Sequence, residues 1–219
     1  MKEALADGGT WSGVGMVRVI GRVRLLGWAL VVAVLAACGV DGGADRREKG
    51  REASAIDMRQ AGQRAEGVLD GTLAAIRPPV EWAYGAPSEA ACSTGLNEPT
   101  GTMTVTRSRN ILTVVSERRR DNLLGLVQRY WERQGFQVVS VNSDKDMPRI
   151  RARDADDFTV SLDVGSIGNI SVSAGVSCAV NSAMTYPKGT PGHPGGPKVE
   201  ELRPRERSDF WSSGEPIRQ

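Results

Sequence analysis

Two short segments near the end of the chain's ordered-looking part constrain the fold more than any other feature. Over residues 158–164, Phe158, Val160 and Leu162 alternate with Thr159, Ser161 and Asp163. Over residues 169–176, Ile170, Val172 and Ala174 alternate with Ser171 and Ser173. A period of two puts every apolar side chain on one side of a strand and every hydroxyl on the other. Ser166-Ile167-Gly168 supplies the turn, with Gly168 taking the positive φ. Matching the apolar faces pairs Leu162 with Val172, or sets a two-residue shift of that pairing. A slip of one residue would bury the serines. The pattern demands an antiparallel sheet with one covered face and one wet one.

The rest of the chain supplies the cover. In residues 53–76, Met58, Ala61, Ala65, Val68, Leu69, Leu73 and Ile76 recur at three- and four-residue spacing, one stripe of a helix that Pro78 and Pro79 end. Residues 80–100 read as loop. Residues 102–115 read as a strand whose alternation fails at Arg107-Ser108-Arg109, so a bulge is expected there. Ser116 stands where it can cap a second helix, with the stripe Leu123, Leu124, Val127, Tyr130 and Trp131. Strands follow at 136–141, 149–154, 158–164 and 169–176. The expected class is α+β, a small antiparallel sheet of four to five strands with two helices packed on one face.

The first 37 residues differ from all this. Residues 25–37 read LLGWALVVAVLAA, with no charge and with Arg18, Arg22 and Arg24 just before them. As a helix they span roughly 20 Å, too short for a hydrocarbon core of about 30 Å. Basic, then apolar, then small residues is the order of a secretory signal peptide. Met16 opens MVRVIGRVR, which has no acid, and is read as the true start in place of Met1. Replacing Met1 and following expression distinguishes the two.

The apolar run closes on Leu35-Ala36-Ala37-Cys38. This resembles the lipobox of bacterial lipoproteins. The resemblance implies a diacylglyceryl thioether on Cys38, cleavage just before it, and a mature chain on the outer face of the cytoplasmic membrane. Two acyl chains anchor stably where one holds marginally, at about 0.8 kcal/mol per buried methylene. With a post-anchor helix, a WERQGF junction and a late cysteine, the chain is similar in style to small actinomycete lipoproteins of unknown function. That likeness implies no activity and transfers no catalytic residue. The organisation is then 1–37 signal peptide, 38–52 lipidated cysteine and flexible tether, 53–180 α+β domain, and 181–219 a disordered Pro/Gly-rich tail. Six of the eleven prolines fall from Pro187 to Pro216.

Cys92 and Cys178 remain once Cys38 carries lipid. Export favours a disulfide between them. A free nucleophile or a soft-metal pair are the alternatives, without a nearby His or a CxxC spacing to support either. The long enclosed loop makes the bridge worth roughly 4–5 kcal/mol by the chain-entropy model.

Composition bounds the chemistry. The leader holds four basic and two acidic residues, so the remainder balances at 24 against 24. A neutral body argues against nucleic acid as partner. The single histidine, His193, lies in the Pro/Gly tail, which argues against Ser-His-Asp catalysis and His-based metal sites. No cofactor is expected, since no Walker loop, zincin motif or full GxGxxG is present. Arg149, Arg151 and Arg153 line one strand face and are the candidate anion-binding residues for lipid headgroups or wall polymers. Pairing Ile150 with Leu162 would set Arg149 against Asp163, Arg151 against Ser161 and Arg153 against Thr159, a partly neutralised face. Asn142, Asp144 and Asp146 have the spacing of a calcium loop, but Met147 and Arg153 occupy its Gly and Glu positions. Asp154, Asp156 and Asp157 crowd a turn. The expected function is a non-enzymatic binding or envelope module, with an unidentified envelope protein or polymer as partner. The alternative is a wall-glycan hydrolase using those three carboxylates.

Overall fold

The computed structural model describes residues 56–200 and 203–216. The expected signal peptide, Cys38 and the tether lie outside the described residues.

The first helix, α1 (Met58–Ala75), starts where its cap allows. The Asp57 carboxylate accepts from the Gln60 amide at 2.8 Å, and the Gln60 side chain accepts from the Asp57 amide at 3.2 Å. This capping box satisfies two otherwise orphaned donors. The predicted stripe is the buried one, with Ala61, Ala65 and Leu69 fully enclosed. The second helix, α2 (Glu117–Arg133), buries Leu123, Leu124, Val127 and Trp131. The two helices meet where the Trp131 indole donates to the Thr72 hydroxyl at 2.9 Å. Both pack on one face of the sheet, α1 over its middle and α2 over the far strands.

The strands are β1 (Trp82–Tyr84), β2 (Ser88–Ser93), β3 (Pro99–Ile111), β4 (Gln137–Asn142), β5 (Arg149–Arg153), β6 (Thr159–Val164) and β7 (Ile170–Val180). They form one antiparallel sheet in the order β1-β3-β7-β6-β5-β4, with β2 also on β3. The β6–β7 hairpin has the register read from its pattern: Leu162 faces Val172 and Gly168 adopts φ 76°. The β5–β6 register also agrees, with Arg149 opposite Asp163 and Arg151 opposite Ser161.

Three expectations are corrected. Among the described residues the sheet has seven strands, not four or five, because residues 80–100 are not a loop. They hold β1 and β2, which share the outer side of β3. Such edge segments bury little, so they need no apolar alternation, and the pattern could not disclose them. The expected bulge at Arg107-Ser108-Arg109 is absent, and β3 pairs with β7 in regular register there. The shift lies instead between Met103 and Val105. Both arginines sit on the helix-covered face, 1% exposed.

The third correction is the tail, whose described residues, 181–200 and 203–216, are seated on the domain. Its Arg205 and Glu206 amides donate to the Leu112 carbonyl, and the Val114 amide donates to that of Glu206 at 2.8 Å. Trp211 is completely buried and its indole donates to the Pro78 carbonyl at 2.7 Å. Full burial of one such side chain contributes several kcal/mol, enough to order a Pro/Gly-rich strap. Docking also diverts Ser116. It occupies the N-cap of α2, yet its hydroxyl donates to the Ser213 carbonyl at 2.6 Å and makes no cap bond.

Candidate functional site: the open face of the sheet

Among the described residues, helices cover only one side of the sheet. On the other side the registers align polar side chains into rows. Ser140, Arg151, Ser161, Ser173 and Ser108 are successive cross-strand neighbours. A second row is Asn142, Arg149, Asp163, Ser171 and Asn110. A third is Gln137, Arg153, Thr159, Gly175, Thr106 and Ser88. The period-two pattern that buries Ile150, Val160, Leu162 and Val172 against the helices makes this face hydrophilic by the same alternation.

The three candidate arginines are not equivalent. Arg149 pairs with Asp163, whose other oxygen accepts from the Ser161 hydroxyl at 2.8 Å. Arg153 pairs with Asp157 at 3.1 Å. Arg151, between them, has no ion-pair or hydrogen-bond partner among the described residues. It borders a shallow groove of about 260 Å³, whose wall includes the hydroxyls of Thr104, Thr106, Thr159, Ser161, Ser173 and Ser177. Gly175 forms the floor. A Cβ there would lie 2.1 Å from the Val105 carbonyl oxygen, so β3 and β7 approach closely only because the side chain is missing.

The other candidates are occupied by structural work. Asp154 accepts from the amides of Asp156 and Phe158 and pairs with Arg64 of α1. Asp156 reaches the same guanidinium at 3.5 Å, and Asp157 is held by Arg153. In the loop after β4, the Asp144 carboxylate accepts from the amides of Met147 and Asp146. Those two bonds, Met147's first, hold its pKa below the ordinary carboxylate range. Among the described residues, no group of three or more His, Cys, Asp or Glu could hold a metal ion, and no helix is long and apolar enough to cross a membrane.

Cys92 on β2 and Cys178 on β7 are placed together as a disulfide-compatible pair, with Cα atoms 5.7 Å apart and a sequence separation of 86. The pair lies beside the groove, where the Cys92 sulfur is 3.6 Å from the Thr104 hydroxyl.

The sequence reading missed a cluster under α1. Arg107 pairs with Glu89 at 2.7 Å, and Arg109 with Asp70 at 2.9 Å, while Glu66 stands between the two guanidinium groups and pairs with both. Tyr186 of the strap closes over Arg107, its ring centroid 4.9 Å away. Burial, and then the charge of Glu89, push the Tyr186 phenol above its usual pKa. The signal was present in the broken alternation of β3, since two charges at buried-face positions demand carboxylates from another element.

No protein-family model and no curated protein matches the chain. Among solved structures it is similar to the crystal structure of a DUF4853 family protein from Actinomyces odontolyticus ATCC 17982, at 15% identity and a TM-score of 0.36. The match covers 55% of this chain and 68% of that one.

Proposed function

We propose that this chain is a lipid-anchored binding module of the cell envelope, held by Cys38 on the outer face of the cytoplasmic membrane. The observation that carries the binding part is the open sheet face. It is a broad polar surface, left uncovered by both helices, with its groove beside Arg151, which no carboxylate among the described residues neutralises. The anchor rests on the order of arginines, apolar run and Leu35-Ala36-Ala37-Cys38. A hydrolase reading draws no support from Asp154, Asp156 and Asp157. All three are engaged by Arg64 or Arg153, whereas a glycosidase needs a carboxyl pair flanking its bond with one member free to give up a proton.

Two measurements test the proposal. Wild-type protein should fractionate with membranes and Cys38→Ser should not. An unchanged membrane fraction at the mature size would remove the anchor. Incubated with isolated wall sacculi, the protein should sediment with them and release no soluble glycan. Release that disappears in Asp154→Asn would restore the hydrolase.

A further inference from the structure

We infer that the groove on the open face binds an acidic polysaccharide, a sugar chain bearing carboxylate groups, with Arg151 as its charge contact. The inference deepens the binding-module reading and rests on it.

The groove's chemistry selects the ligand. Its hydroxyls come from six Ser and Thr side chains on β3, β6 and β7. Each hydroxyl both donates and accepts, which suits a ligand that is itself covered in hydroxyls. Across the sheet, Arg151, Ser161, Ser173 and Ser108 repeat at the strand spacing of about 4.8 Å. That step is comparable to the length of one sugar unit, so a chain lying across the strands meets a polar side chain at each residue. The charge is correspondingly sparse. Arg149 and Arg153 are already matched by Asp163 and Asp157, which leaves Arg151 to meet one carboxylate through its planar fork.

Other occupants fit less well. A membrane surface gains about 1 kcal/mol per basic residue near it, and one uncommitted arginine makes a weak lipid patch. None of the large apolar side chains exposed elsewhere on the domain lines the groove. A nucleic acid strand would want aromatic platforms for its bases, and no aromatic residue lines this groove. An apolar protein partner would find only Ala174 and Val176 here, both almost fully buried already.

The test uses the full chain carrying Cys38→Ser, so that no lipid contributes. Polygalacturonate is titrated at low salt, beside dextran of equal length and phosphatidylglycerol vesicles. Polygalacturonate should bind saturably and dextran at least about tenfold more weakly. Arg151→Ala should lose about tenfold or more, the loss expected for a hydrogen-bonded charge contact. Arg151→Lys should recover part of it, and Arg149→Ala should lose less than Arg151→Ala. Ser173→Val, which keeps a strand-compatible shape, should also weaken binding. Equal binding of dextran, unchanged affinity in a folded Arg151→Ala, or binding to vesicles alone would each overturn the inference. None of these outcomes touches the anchor or the absence of hydrolysis, which the fractionation and sacculus experiments read separately.

Discussion

Two strands of this sheet carry arginines at alternate positions and send them to opposite sides. On β3, Arg107 and Arg109 enter the helix-covered face and are 1% exposed. On β5, Arg149, Arg151 and Arg153 stand on the open face, where Arg149 and Arg153 remain about half exposed. The backbone pleat is the same in both. What differs is what waits above each strand. Over β3, α1 lowers Glu66 and Asp70 and β2 contributes Glu89. Trp82 and Tyr84 add their ring faces to Arg109 at 5.0 and 4.3 Å. On the helix-facing side of β5, Ile150 and Ala152 join the apolar core, so they go in and the arginines go out. The two β3 arginines are buried where carboxylates are brought to meet them, whereas Arg119 of α2 is buried against the Phe210 ring, 4.4 Å from its centroid.

The buried pairing is incomplete. Arg107 Nε lies 3.5 Å from Glu66 Oε1, close enough for an ion pair, yet neither atom makes a hydrogen bond. Arg107 Nη2 and Arg109 Nε are also without one. The cluster therefore leans on charge more than on bonding geometry, and Glu66 is the group both guanidinium ions share.

The sharpest way to break the contrast is to remove that shared carboxylate. Glu66→Gln should cost about 3 kcal/mol or more in urea denaturation, since it leaves buried charge undercompensated. A loss below about 1 kcal/mol would mean that Asp70 and Glu89 suffice alone. A smaller effect is expected on the open side from Gly175→Ala. Its Cβ would meet the Val105 carbonyl at 2.1 Å, forcing β3 from β7 at about 1–3 kcal/mol. Wild-type stability in that variant would show that the strands can part freely and that the groove floor is not shape-limited. The smallest effect belongs to the exposed arginines. Replacing Arg149, Arg151 and Arg153 together by Ala should change stability by less than about 1 kcal/mol. A larger loss would make that face a structural charge network and not a surface kept for a ligand.

Much of the sheet was legible beforehand because strand alternation is a local property. The residues from Phe158 to Val176 state their own faces, and two apolar faces meet in one register. The helical stripes were legible for the same reason. The groove was only half legible. Arg151 and its opposite number Ser161 follow from register, but that Arg151 would be the one of the three without a carboxylate among the described residues depends on where Asp157 and Asp163 send their side chains. β1 and β2 were hidden because short edge segments carry little apolar pattern.

By itself, the sequence determined the alternating strands, the amphipathic helices and the turn at Gly168, each written within a dozen or so neighbouring residues. Only the tertiary structure decided the fate of Arg107, Arg109 and the tail. A charge can be buried or a Pro/Gly segment ordered only if a complementary group arrives from far along the chain. Glu66 lies 43 residues from Arg109, and Pro78 lies 133 from Trp211. The free energy of those contacts exists only once the sheet and helices have brought the partners together, so no local pattern could announce it.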